Sequence, residues 1–151
     1  LFEKFGIFTE AELYSRAEIL YEIYAKTINI EALTMLDMAN KQIVPAVLRF
    51  SRSLADTTVA VREAGGDASV AAGLLKEITS KLTEMKNAAE RLQKVEEKGS
   101  AMARGKEQAF YYKDKVVAAM KELRAPADEL EKLVDKEFWP FPTYADLLFE
   151  V

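Results

Sequence analysis

The stretch that decides the fold is LTMLDMANKQIVPAVLRFSRSLADTTVAV, residues 33–61, where mostly apolar side chains recur at alternating steps of three and four. That spacing places them on one face of an α-helix, as in a coiled-coil seam. Pro45 removes a backbone donor, and we expect a kink there because the pattern continues on both sides. Asn40 is expected to fix the pairing register with a neighbouring helix. The predicted seam comprises Leu33, Leu36, Asn40, Ile43, Val47, Phe50, Leu54, Thr57 and Val61.

A second helical pattern precedes this seam. Thr9 and Glu12 have the spacing of a capping box, which predicts a helix start at that point. The stripe that follows, when extended, is out of phase with the seam by about two residues, roughly 200° around a helix. We therefore predict a break or sharp bend at residues 27–30, with one continuous helix over 10–64 as the alternative. The stripe consists of Leu13, Ala17, Leu20 and Tyr24.

Downstream of the seam, Gly65-Gly66-Asp67 offers a left-handed helix terminus followed by a new N-cap, which predicts a tight helical hairpin. A third helix is predicted from about 69 to 97, with Gly99-Ser100 ending it. Its stripe is Ala71, Leu75, Ile78, Leu82, Met85, Ala89 and Leu92.

A fourth helix follows, and Pro126 is expected to bend it. Lys113 is the one polar member of its predicted stripe. The other members are Ala109, Val116, Met120, Leu123, Ala127, Leu130 and Val134.

These patterns together predict an all-α fold. Of the 151 residues, 50% are hydrophobic and only 6 are Gly and 4 Pro, too few turn residues for a protein of many short strands. Short connections between long helices make neighbours antiparallel. We predict an elongated antiparallel up-and-down bundle of three to four helices, forming a single domain over residues 1–151.

Aromatic residues concentrate at the two ends of the chain, and none occurs from 51 to 109. We expect the ends to meet in an aromatic base, with Trp139-Pro140-Phe141-Pro142 running extended. Residues 1–9 are interpreted as the end of an inter-domain linker of a longer polypeptide, and 139–151 as a docking tail. A tail folded onto its own bundle is the equal alternative. The predicted interface residues are Phe2, Phe5, Phe8, Trp139, Phe141, Tyr144, Leu148 and Phe149.

The composition argues against several functional classes. With no Cys and no His, the chain has no thiol nucleophile, no imidazole base and no metal site built on those ligands. A net charge of -4, from 25 acidic and 21 basic residues, does not favour a nucleic-acid partner. No apolar stretch approaches the roughly 20 residues that cross a bilayer, and no signal peptide is evident. We expect a cytoplasmic protein with no membrane partner.

Two pairs of carboxylates stand one helical turn apart: Glu18 with Glu22, and Glu131 with Asp135. In principle each pair could share a proton or hold a divalent cation, which would suit an enzyme. Di-metal carboxylate bundles also use His, however, and long charged side chains usually stay solvated. Both pairs are therefore interpreted as solvated helix faces.

Four stretches together resemble the C-terminal region of type III glutamine synthetase. They are LFEKFGIFTEAEL with the following Ser15-Arg16 (from 1), KTINIEALTM (26–35), ELRAPADELE (122–131) and WPFPTYADLLF (139–149). The resemblance covers nearly the whole chain and is generic from about 51 to 105. It implies a parent enzyme that joins ammonia to glutamate with ATP and Mg or Mn.

The resemblance places the metal, phosphate and nucleotide sites of the parent in an upstream catalytic domain. It therefore implies no catalytic, metal-binding or cofactor-binding residue in this chain. The expected partners are that catalytic domain and neighbouring subunits of a homo-oligomer. A stand-alone helical-hairpin interaction module is the alternative hypothesis.

Overall fold

The computed structural model describes residues 5–142 and 144–149 of the protein. Of the described residues 83% are helical and none lies in a strand, which confirms the predicted all-α bundle. The helices are α1 (Glu10–Met38), α2 (Val44–Glu63), α3 (Ser69–Ser100), α4 (Lys106–Tyr111), α5 (Val117–Leu133) and α6 (Tyr144–Phe149). Two π-helical turns join α1 to α2 (Ala39–Ile43) and α4 to α5 (Tyr112–Val116).

The predicted capping box forms at the start of α1. The Thr9 backbone N–H donates to Glu12 Oε2 over 2.8 Å, and the Glu12 N–H donates to Thr9 Oγ1 over 3.3 Å. The Thr9 hydroxyl also donates to Glu12 Oε2, over 2.9 Å, and the two hydrogen bonds that this carboxylate accepts from Thr9 lower its pKa because they favour its ionised form. The reciprocal cap satisfies two backbone donors and starts the helix where the sequence predicted.

The predicted break at residues 27–30 is wrong, because α1 runs through it without interruption. The phase argument assumed that the largest side chains mark the buried face, yet Leu20 is 65% and Leu33 47% exposed. The buried face follows alanines instead, at Ala25 and Ala32. Small side chains allow neighbouring backbones to approach closely, so in α1 the larger residues lie outside the contact. Tyr24 and Thr57, two further predicted stripe members, are exposed as well.

The chain stays helical through Pro45, as predicted, with the help of the π turn before it. The Val44 N–H donates to the Ala39 carbonyl, five residues back, so the wide turn lies directly before the residue that has no N–H. Asn40 occupies this turn and donates to the Leu36 carbonyl over 2.9 Å. Its Oδ1 accepts a 2.7 Å hydrogen bond from Lys86 Nζ on α3. Asn40 thus links the two helices, in agreement with its predicted role in register.

The predicted hairpin between α2 and α3 is present. Gly65 adopts φ 79°, a left-handed conformation that favours glycine, and the Gly66 N–H donates to the Val61 carbonyl over 2.8 Å. Asp67 then accepts a 2.8 Å hydrogen bond from the Ser69 N–H. This hydrogen bond and the side-chain bond from Ser69 hold the pKa of the Asp67 carboxyl below its usual value.

α3 continues past its predicted end, because Gly99 and Ser100 belong to its last turn. A Cβ added to Gly99 would lie 3.1 Å from the Tyr112 ring and 3.2 Å from the Tyr111 ring. Gly99 is therefore a site of close approach between two helical segments, not a helix terminator. The predicted stripe of α3 is otherwise correct, with Ile78, Met85 and Leu92 fully buried.

The predicted stripe of the fourth helix needs one correction. Tyr112 is buried and the neighbouring Lys113 is exposed, so Lys113 is not a core residue. Both lie in the π turn, whose extra residue changes which side chains face inward. Pro126 is buried inside α5, and the helix continues past it to Leu133.

The chain divides into two compact units. Unit 1 comprises Leu1–Met35 and Arg91–Lys121, and unit 2 comprises Leu36–Glu90 and Glu122–Val151. The two chain ends belong to different units, so the predicted common aromatic base stays a prediction.

A carboxylate continues the buried stripe of α3 in unit 1. Glu96 is only 6% exposed, and burial raises the pKa of its carboxyl despite a hydrogen bond from Ser100 that acts in the opposite direction. Burial, followed by the nearby charge of Glu96, also raises the pKa of the Tyr112 hydroxyl. Ionised Glu96 is therefore an unfavourable group in the folded state.

Two glycines of α3 give opposite expectations. Gly99→Ala should destabilise the fold by roughly 1–3 kcal/mol, because the new methyl group meets two rings that cannot move freely. Gly73→Ala should stabilise it by about 0.5–1 kcal/mol, because nothing lies within 4 Å and alanine is the better helix former. Urea denaturation of both variants measures the change in the free energy of unfolding. Equal effects of the two substitutions would contradict the close approach at Gly99.

Glu96→Gln should stabilise the protein at neutral pH, because it removes the buried charge. A carboxyl with a raised folded pKa contributes most stability below its unfolded pKa and loses that contribution as pH rises through the folded value. The gain in free energy of unfolding should therefore shrink as pH falls from the raised folded pKa towards the ordinary value of 4.5, and it should be absent below that value. Thermal unfolding from pH 3.5 to 8 measures it, with Glu90→Gln as an exposed control on the same helix. A variant less stable than wild type at pH 8 would contradict the expectation.

Candidate docking surface

The outward side of α1 in unit 1 carries large apolar side chains. Ala25 and Ala32 take buried positions, whereas bulkier residues in the two turns before Ala25 face solvent. We call this set the α1 apolar face, and its exposed fractions are 55% for Ile19, 65% for Leu20, 55% for Ile23 and 38% for Tyr24. Contiguous exposed apolar side chains of this size commonly mark an interaction site.

A groove of 280 Å³ connects the α1 apolar face to the segment around Phe110. The Tyr21 and Phe110 rings, whose centroids are 6.3 Å apart, both line it. The edge of Phe110 remains 45% exposed. The lining is almost entirely apolar and consists of Leu20, Tyr21, Tyr24, Ala109, Phe110 and Lys113.

Two ammonium groups border this groove. Lys106 Nζ lies 5.9 Å and Lys113 Nζ 5.6 Å from the centroid of the Phe110 ring, within the range of a cation–π contact. Within the part of the chain that the structure describes, neither lysine forms an ion pair. The groove is therefore apolar inside and positively charged at its rim.

A second, polar cavity of 170 Å³ lies elsewhere in unit 1. The Gln108 amide closes its base by donating to the Gly99 carbonyl over 3.0 Å. The buried Oδ1 of Asn29 has no hydrogen-bond partner among the described residues. The lining residues are Glu22, Ala25, Lys26, Asn29, Ser100, Met102, Arg104, Gln108 and Tyr112.

Members of both carboxylate pairs form contacts within the fold. Glu22 pairs with Lys26 over 3.1 Å, and Asp135 accepts the Glu137 N–H over 2.8 Å, so each already has a structural partner. In residues 5–142 and 144–149, no group of three or more Asp or Glu side chains could hold a metal ion. We assign these residues no catalytic step.

The predicted interface residues lie in both units. Phe5 of unit 1 is 68% exposed, and Phe8 is half-buried beneath the Arg16 guanidinium at 4.5 Å. Phe2 and the side chains of Tyr144 and Phe149 lie outside the described residues.

In unit 2, the residues after α5 pack on one another without helix from 139 to 142. The Trp139 and Phe141 rings meet edge to face at 6.1 Å, and Phe138 contacts Phe50 at 5.4 Å. An ion pair between Lys136 and Asp146 ties α6 to this segment. Leu148 of α6 is 70% exposed.

Sequence reasoning missed the groove as a surface. It placed Leu20 and Tyr24 in the core and did not connect them to Phe110, which is far away in sequence. One signal was available: the stripe containing Leu20 was out of phase with the seam, and a stripe that does not share the common register can be an outward one. The contact between α1 and Phe110 is tertiary and has no sequence signal.

Every helix in the described ranges is too short or too polar to cross a membrane.

Comparison with known proteins places the chain in one family. The family described as the glutamine synthetase C-terminal domain matches residues 1–62. A glutamine synthetase of Butyrivibrio fibrisolvens is 37% identical over 153 residues, covering 100% of this chain and 22% of that protein. A glutamine synthetase of Bacteroides fragilis (strain YCH46) is 28% identical and covers 95% of the chain. A type-3 glutamine synthetase of Dictyostelium discoideum is 26% identical and covers 99%.

The chain spans about a fifth of the length of these curated relatives, between 20% and 22%. The matches fall in the C-terminal part of each relative. The resemblance inferred from the four sequence stretches is thereby confirmed: the chain corresponds to the C-terminal region of glutamine synthetases.

Proposed function

We propose that this chain is the helical C-terminal domain of a glutamine synthetase and that it has a structural, non-catalytic role. The parent polypeptide would join ammonia to glutamate with ATP and Mg or Mn, in the cytoplasm. The chain would attach to the preceding catalytic domain and to neighbouring subunits of a homo-oligomer.

One observation carries this proposal: the chain aligns along its whole length with the C-terminal part of glutamine synthetases. The chemistry of the described residues supports it. Cys and His are absent from the sequence, and the carboxylates reported above have structural partners or a solvated setting. Exposed apolar side chains, in contrast, are plentiful, which suits attachment better than catalysis.

The proposed attachment surface includes the apolar residues near both chain ends. Phe5 and Leu148 are largely exposed and would lose that exposure against a partner. The Trp139–Phe141 pair offers a preformed aromatic edge, and Trp139 Nε1 is a buried donor without an acceptor among the described residues. Phe2, Phe8, Tyr144 and Phe149 complete the proposed set.

A direct activity test separates the domain from its parent. The isolated chain, residues 1–151, should form no glutamine from glutamate, ammonia, ATP and Mg above a protein-free blank. The full-length polypeptide should form it. Glutamine production by the isolated chain would overturn the non-catalytic role, and its absence from the full-length polypeptide would overturn the proposed parent activity.

The attachment role is tested in the full-length protein with Phe5→Asp and Leu148→Asp. Each places a charge where an apolar contact is proposed, and the dissociation constant of the oligomer should rise by about tenfold or more, the size of a hot-spot loss. Analytical ultracentrifugation measures it. Val70→Asp is the control, since Val70 is 82% exposed and lies outside the proposed set. Unchanged assembly in both variants would show that these residues are not part of the interface.

A further inference from the structure

We propose that the groove between the α1 apolar face and Phe110 is the docking site for the polypeptide segment that precedes Leu1 in the full-length protein. The inference rests on the proposed function, since it requires a parent with a preceding domain. It adds a specific surface, in unit 1, that is separate from the aromatic residues near the chain ends.

The first argument is the exposed apolar surface itself. Leu20 is 65% and Phe110 45% exposed, although they line the same groove and the Phe110 ring lies against the Tyr21 ring. Each large side chain fully removed from water contributes about 1.5–3 kcal/mol. A groove of 280 Å³ accommodates a few apolar side chains of a helix or an extended segment.

The second argument is the position of the groove relative to the missing chain. The relatives match only in their C-terminal part, so about four-fifths of their length precedes the matched region. Nine residues before α1 span at most roughly 30 Å. Leu20 lies about 15 Å beyond the start of that helix. A preceding domain is thereby tethered within reach of the groove, which gives it a high effective concentration there.

The third argument is charge, and it disfavours a second copy of this chain as the occupant. A symmetric dimer centred on the groove would bring Lys106 and Lys113 of one copy towards the same lysines of the other. Like charges across an interface are unfavourable. The occupant should instead present apolar side chains flanked by acidic ones, which would pair with the two ammonium groups.

Cysteine labelling tests the proposal directly, because the chain contains no Cys of its own. Leu20→Cys is introduced in the groove and Ser80→Cys at an exposed position of α3 as the control. The rate of modification by a maleimide is followed by mass spectrometry of the relevant peptide. In the isolated chain both cysteines should react at similar rates. In the full-length protein Cys at position 20 should react at least about tenfold more slowly, as expected for a site that is docked in 90% of molecules.

Equal reactivity at both positions in the full-length protein would overturn the proposal. Slow labelling of Leu20→Cys in the isolated chain, relieved by dilution, would identify a second copy as the occupant and overturn it too. Protection in the full-length protein that disappears when the oligomer is diluted apart would assign the groove to a neighbouring subunit, with the same consequence. The activity and assembly measurements above are independent of this result, so each proposal can fail alone.

Two charge-reversal variants test the contribution of the lysines at the groove. Lys113→Glu in the full-length Leu20→Cys protein should reduce the protection, because the acidic flank of the occupant would then face a like charge. Lys115→Glu is the matched control, since Lys115 is exposed on the same π turn and does not line the groove. Equal effects of the two substitutions would refute the electrostatic contribution.

Discussion

Burial of small residues at the helix contacts shapes the rest of the structure. Ala25, Ala32 and Ala39 are each at most 3% exposed, and a Cβ at Gly99 would lie only 3.1–3.2 Å from two tyrosine rings, closer than most Cβ contacts. Packing at this density leaves no room for large side chains along the contact. The bulky residues of α1 are consequently on the outside, where they form the surface proposed here as a docking site.

The two π turns also change which residues of a helix face inward. Each adds one residue to a helix that otherwise continues, so the inward-facing positions change without a break in the chain. The first precedes Pro45 and lets Asn40 bond both to the Leu36 carbonyl and to Lys86. The second buries Tyr112 and leaves Lys113 at the rim of the groove. A wide turn of this kind is frequently found at functional positions, and here one lies beside the proposed docking groove.

In the proposed role, this region of a glutamine synthetase supplies contacts to the rest of the protein and not the groups that perform the reaction. Its ionisable groups serve helix ends and surface pairs, as at Glu12 and Asp67, where hydrogen bonds stabilise the ionised carboxylate. Glu96 is the exception, because its burial disfavours the ionised form of its carboxyl.

The helical class, the capping box at Thr9 and the hairpin at Gly65 could be predicted from the amino-acid sequence, because each depends on the spacing of nearby residues. The resemblance to glutamine synthetases could be found there too, because it rests on four continuous stretches of sequence. The inward face of α3 was also predictable, because its large apolar residues are the residues that are buried. The continuity of α1 through residues 27–30 and the exposure of Leu20 were decided only by the tertiary structure. Local periodicity records which residues share a helix face, but whether that face is covered depends on how closely distant helices approach, and in α1 alanine allowed the closer approach.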